Sequence, residues 1–268
     1  MLKDITLGQY FPGDTIAHRL DPRTKILLVV LYIVALFNAK GFAGYGVMAL
    51  CLAACVKVSR VGVRALVRGL RPVLYIILFT AVLNLFFTPG ERELFRLGIL
   101  RISDAGVRTA FFMVLRIMLL IMGTFLMTYT TSPIRLTDAL EQLLHGLKRF
   151  RVPVHELAMM MSIALRFIPT LIEETDKIMS AQKARGADME SGNLIRKAKA
   201  MIPILVPLFI SAIRRADELA TAMECRCYHG GEGRTKLHLL RYERRDYAAL
   251  TLGAGICAAV ILLGRQGL

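Results

Sequence analysis

The chain has 268 residues, is 55% hydrophobic, and carries a formal net charge of +15 from 35 Lys and Arg against 20 Asp and Glu. With mean hydropathy +0.53 this is no ordinary soluble domain, so its 21% charged residues must be segregated from long apolar runs. The charge does not mark a nucleic-acid binder either, because the basic residues flank apolar stretches and are not interleaved with aromatics.

The polar start, with Asp4, Asp14 and Asp21 ahead of the first apolar run near Ile26, shows no cleavable signal. It ends in His18-Arg-Leu-Asp-Pro-Arg-Thr-Lys25, where Asp21 is placed to cap a helix beginning at Pro22. A first span is expected over 26–38 and a second over 42–56, joined by a turn at Lys40-Gly41. Lys57, Arg60, Arg64, Arg68 and Arg71 follow at steps of three and four, one face of a helix lying on an anionic membrane surface.

A third span is expected over 72–88, with Asn84 making a packing hydrogen bond and Pro89-Gly90 ending it. Residues 91–105 read as a small hairpin turning at Gly98. The fourth span, 107–129, contains Arg116, a charge that must pair inside the bundle or snorkel to its outer end. The final span is expected over 247–263.

Residues 131–246 leave this pattern. Ser132 and Pro133 have the form of a helix start. The apolar runs at 154–174 and 198–215, the second with Pro203 and Pro207, read as long helices partly beneath the bilayer rather than as spans. Met159, Met160 and Met161, with Ile204 and Pro207, make an apolar and adaptable surface for a partner. Positive-inside counting puts the N-terminus, the 57–71 stretch and 131–246 in the cytoplasm. The expected domains are 1–130 with four spans, 131–235 as a cytoplasmic coupling domain, and 236–268 as a basic linker with the last span.

Within 171–231 two runs resemble each other. Aligned so that Arg185 meets Arg226, Ile172 falls on Ile213, Asp176 on Asp217 and Ala181 on Ala222. Each arginine stands between small residues, Ala184 and Gly186 in one case, Cys225 and Cys227 in the other, shortly before Gly186 or Gly230-Gly231. Glycine takes the left-handed turn that ends a helix, a cation suits the negative end of the dipole, and small neighbours admit a close partner. The guanidinium then offers a forked contact to a carboxylate.

Other chemistries find little support. Cys225-x-Cys227-x-His229 lacks the usual two-residue spacer of a metal site, and Cys51, Cys55 and Cys257 read as apolar fillers. No G-x-x-x-x-G-K-[ST] loop occurs, so the chain does not hold ATP in that manner. Asp176, Asp217 and Glu218 would serve the alternative of a membrane enzyme acting on lipid or prenyl substrates at the cytoplasmic face. A channel or autonomous transporter requires ionisable groups at mid-membrane, where only Arg116 stands.

The HRLDPRTK start, the paired Ala184-Arg185-Gly186 and Cys225-Arg226-Cys227 triplets and the context AMECRCYHGGEGRT resemble the transmembrane T component of energy-coupling factor (ECF) transporters, bacterial and archaeal importers of vitamins and metal ions. The resemblance covers essentially the whole chain; cysteines replace the commoner alanine and glycine of the second triplet. It implies an all-α polytopic cell-membrane protein with a cytoplasmic helical coupling domain. It also implies that Arg185 and Arg226 enter grooves on two cytoplasmic ABC-type ATPases, which hold the ATP and magnesium. A small membrane substrate-binding subunit would sit on the methionine-rich helices and choose the cargo. The chain itself would be non-catalytic and bind no cofactor.

Overall fold

The computed structural model describes residues 10–89, 93–97, 100–187, 194–231 and 239–265. Among these, nine α-helices carry the fold: α1 (Ile16–Arg19), α2 (Pro22–Asn38), α3 (Phe42–Ser59), α4 (Val63–Phe87), α5 (Asp104–Thr130), α6 (Pro133–Leu143), α7 (Val154–Ala184), α8 (Leu194–Cys225) and α9 (Arg244–Arg265). A 3₁₀ segment, Leu144–Phe150, follows α6, and strands β1 (Glu93–Leu97) and β2 (Leu100–Ser103) form an antiparallel ribbon between α4 and α5. The expected hairpin is present, although Gly98, like Gly90 and the basic Arg234 and Lys236, lies outside the described residues. The protein is an all-α membrane protein with this one small ribbon.

Two compact units emerge, Gly8–Leu136 with Leu240–Leu268, and Thr137–Leu239. In the first, α2, α3, α5 and α9 share a core of Ala35, Leu36, Ala39, Tyr45, Met48, Leu52, Leu119, Cys257 and Val260. Small residues let helices approach where lipid offers no hydrophobic drive to associate. At Gly264 a Cβ would stand 2.5 Å from the Asn38 carbonyl oxygen, so only glycine permits that contact between α9 and the end of α2. Cys257 fills the core as expected, whereas Cys55 is exposed on α3.

The HRLDPRTK stretch ties this unit together. Asp21 caps α2 through the Arg23 amide at 2.8 Å with Pro22 in the first turn, as its sequence suggests. The Asp21 amide in turn donates to Asp246 Oδ1 at 2.8 Å, fixing the start of α9. Arg23 pairs with Asp21 and lies 3.9 Å over the Tyr242 ring. Lys25 is buried, and its ammonium donates to the Thr130 carbonyl at 2.8 Å and Thr131 Oγ1 at 3.2 Å. It thereby satisfies carbonyl capacity left open at the C-terminal end of α5.

Two polar groups within the spans are accounted for. Asn84 donates to the Thr80 carbonyl at 2.8 Å. Arg116 reaches the Tyr45 hydroxyl at 2.8 Å and the Ala39 carbonyl at 3.4 Å, so it is anchored to the end of α2 and the start of α3, with no carboxylate partner among the described residues.

The structure corrects two expectations. Residues 57–71 are not one surface helix preceding a span at Pro72: α3 ends at Ser59, Arg60 is left-handed with φ 54°, and α4 runs from Val63 through Pro72 to Phe87. Membrane helices tolerate such prolines where neighbouring groups re-satisfy the freed carbonyl. Among the described residues five helices are long and apolar enough to span, the number expected, but by that measure they are α3, α4, α5, α7 and α9. The 17-residue α2 stands at the short limit for crossing. In α7 the apolar stretch is its first half, charged only at Glu156 and Arg166, while Glu173, Glu174, Asp176, Lys177 and Lys183 gather in the second.

Candidate functional site

The two arginine triplets occupy the same structural position. Helix α7 ends at Ala184; the Gly186 amide donates to the Lys183 carbonyl and the Ala187 amide to the Gln182 carbonyl, both at 3.0 Å. Helix α8 ends at Cys225, with the Cys227 amide on Glu224 O at 2.8 Å and the Tyr228 amide on Met223 O at 3.0 Å. Both ends are Schellman caps, in which the last helical carbonyls receive the amides of the reversing chain. Arg185 and Arg226 each stand at the C-cap, followed by a left-handed residue. That residue is Gly186, φ 81°, in the first case and Cys227, φ 55°, in the second. The sequence pointed to Gly230-Gly231 for the second turn; the reversal comes three residues earlier, on a cysteine. Gly230 is left-handed too, while Gly231 packs so close to His155 that a Cβ would meet the ring at 2.2 Å.

Both guanidinium groups are exposed, as are Ala184, Gly186, Cys225 and Cys227 beside them. Among the described residues neither arginine side chain has an ion-pair or hydrogen-bond partner. Each tip is therefore a bare cation on a small-residue knob at the negative end of a long helix.

What holds the tips in relation to each other was not legible beforehand. Ser211 donates to Glu174 Oε1 at 2.5 Å and Arg215 to Glu174 Oε2 at 2.8 Å, stapling α7 to α8. These hydrogen bonds from Ser211 and Arg215 hold the Glu174 carboxyl below the usual carboxylate range. Glu174 and Arg215 are equivalent in the alignment that lays Arg185 on Arg226, so the helices cross at matching points of the repeat; that equivalence was the available signal.

Further along, Gln182 Nε2 donates to the Pro203 carbonyl at 3.3 Å. That carbonyl lost its intrahelical partner because Pro207, four residues on, has no N–H. The pairs 174–215 and 182–203 run in opposite senses, so the helices are antiparallel. Each arginine lies roughly 16 Å past the crossing, at about 1.5 Å per residue, and the two tips leave it in opposite directions. Beside the staple Phe167, Leu171, Leu219 and Met223 help line an apolar cavity of about 270 Å³.

The other expected residues divide. Met160 and Met161 are exposed, Met159 is half-buried and Pro207 exposed. Ile204 is only 9% exposed, its side chain turned inward. The accessible apolar row on α8 is Met201, Ile202, Leu205, Val206, Phe209 and Ile210. Asp217 and Glu218 are exposed on α8, and among the described residues no cluster of His, Cys, Asp or Glu could hold a metal.

Comparison with known proteins decides the family. Residues 13–237 match the family model described as cobalt transport protein, CbiQ. The chain is 54% identical over 263 residues to the energy-coupling factor transporter transmembrane protein EcfT of Clostridium kluyveri, covering 98% of this chain and 96% of that one. It is 52% identical to EcfT of Thermosediminibacter oceani, over 98% and 99% of the two chains. Against EcfT of Bacillus subtilis it is 46% identical over 93% and 94%. The chain belongs to the EcfT family. It is a transmembrane component of an energy-coupling factor transporter, and the matched residues 13–237 include both arginine-tipped helices.

Proposed function

We propose that the chain is the coupling subunit of an ATP-driven micronutrient importer. Arg185 and Arg226 each dock in a groove of one of two cytoplasmic ABC-type ATPases, meeting a carboxylate through the guanidinium fork. ATP and magnesium reside on those partners. When nucleotide draws the ATPases together, the two tips move with them, and α7 and α8 pass the displacement to a small membrane subunit that carries the vitamin or metal ion. The exposed apolar rows around Met160, Met161 and Phe209 are the seat for that subunit. In this reading the N-terminus and 131–246 face the cytoplasm of a cell-membrane protein, and the chain performs no catalysis.

One observation carries the proposal: two helix ends with the same cap, each presenting an exposed arginine that has no partner among the described residues, at opposite ends of a stapled antiparallel pair. Two like tips facing apart suit two like engines. Affinity purification in mild detergent should recover two ATPase subunits, or one kind twice, with a small hydrophobic protein. The double variant R185A/R226A should insert normally, release the ATPases and abolish uptake; losing a buried forked charge contact costs about 2–5 kcal/mol of binding. Unchanged uptake in that variant would remove the docking role.

A further inference from the structure

At the end of the first unit where α3 turns into α4, the structure leaves an open cleft of about 1000 Å³. Lys57, Arg60, Arg64 and Arg68 line it. The sequence distributes these four along what looks like a single helix, but the break at Arg60–Gly62 folds them toward one space. All four are exposed, and among the described residues none of their side chains has an ion-pair or hydrogen-bond partner. Among the described residues they face one carboxylate, Asp14, while His18 on the same wall is engaged by Thr15 Oγ1 at 2.6 Å and the Phe11 carbonyl at 3.0 Å.

Two further observations say what the cleft suits. Arg60 occupies the left-handed region at φ 54°, where an L-residue costs about 1–2 kcal/mol relative to ordinary backbone. Such conformations persist where the surroundings enforce them and gather at ligand sites. The rim is also apolar: Phe11, Ile16 and Val58 line it, and Val63 and Val67 beside it are 62% and 51% exposed. It thus opens beside the facing ends of two helices long and apolar enough to span.

We propose that this cleft binds the headgroup phosphate of an anionic phospholipid, with Lys57, Arg60, Arg64 and Arg68 around the phosphate and the acyl chains running along the exposed valines of α3 and α4. Guanidinium forks match phosphate oxygens, and basic groups at an anionic leaflet add attraction for the lipid. The bound lipid would supply counter-charge to basic groups that, among the described residues, face only Asp14.

The test uses the full-length chain, stripped of lipid by detergent washing and titrated in mixed micelles with phosphatidylglycerol, phosphatidylcholine or inorganic phosphate. Thermal unfolding and the lipid retained per chain are the readouts. Phosphatidylglycerol should raise the unfolding midpoint saturably and remain bound near one per chain, with neither of the other additives doing so. R60Q/R64Q/R68Q should weaken that response about a hundredfold, while R71Q/R149Q/R151Q, which removes as many charges elsewhere, should keep it. Should the triple variant fail to insert, R64Q and R68Q singly should each weaken it about fivefold. An equal response of triple variant and control, or of phosphatidylcholine and phosphatidylglycerol, would overturn the site. So would saturation by inorganic phosphate alone, which would leave an ion site without a lipid.

Discussion

Cys227→Gly should stabilise the end of α8, and the reciprocal Gly186→Cys should loosen the end of α7. Cys227 holds φ 55°, a conformation costing an L-residue about 1–2 kcal/mol. Glycine escapes that cost but loses about 0.5–1 kcal/mol more chain entropy on ordering, so the net gain is about 0.5–1 kcal/mol. At Gly186, φ 81°, nothing lies within 4 Å of an added Cβ, so backbone conformation alone sets the penalty, of similar size and opposite sign. Hydrogen exchange reads both ends directly. The Tyr228 amide bonded to Met223 O, and the Ala187 amide bonded to Gln182 O, are protected only while the caps are closed. Corrected for intrinsic rates, Tyr228 exchange should slow about two- to fivefold in C227G, and Ala187 exchange should quicken by a similar factor in G186C. If both variants shift exchange the same way, or neither does, the shared cap geometry does not govern the two tips.

Lys25→Met keeps the buried stem but removes the donor to Thr130 O and Thr131 Oγ1. Losing hydrogen bonds from a charged donor should cost about 1.5–3 kcal/mol, visible as a lower unfolding midpoint in detergent. Gln182→Leu leaves the Pro203 carbonyl without that side-chain donor; a loss of about 0.5–1.5 kcal/mol should appear as faster exchange around 199–207 with the α7 cap intact. The Glu174 carboxyl, held down by Ser211 and Arg215, contributes stability that is fully present above the ordinary carboxylate pKa near 4.3. That contribution is lost as pH falls through the lowered folded value. The α7–α8 separation, read by the dipolar coupling of a spin-label pair placed on the two helices, should therefore stay constant across neutral pH and change only in acid. Loosening between pH 6 and 8 would refute that role for the pair.

Local signals in this sequence were legible and non-local ones were not. Asp21-Pro22, Ser132-Pro133 and the two arginine ends declare themselves because capping is decided within a few residues of chain. The boundary at Arg60 stayed hidden because it rests on a non-glycine in left-handed backbone, where composition points to no break before Gly62. Pro72 reads as the start of a span yet lies inside continuous α4, and Pro207, read as bending its helix, stands within continuous α8. For Pro207 the freed carbonyl has a partner, Gln182, on another helix, which spacing along the chain cannot reveal. The alignment of the two tips held in detail. The staple beneath them, Glu174 with Ser211 and Arg215, depends on where two helices cross and so appeared only in three dimensions.

The knot around residues 18–25 also bears on how this protein comes to be made. Asp21 waits for Asp246, 225 positions downstream, and Lys25 for Thr130, 105 downstream. Helix α2 is thus made long before the partners that lock it. Until residue 246 has been made, a short hydrophobic segment with a cationic amine near its start is without its permanent neighbours, and closure over so long a loop is slow. A nascent chain stalled before residue 246 should therefore be the form that membrane quality-control proteases find easiest to extract.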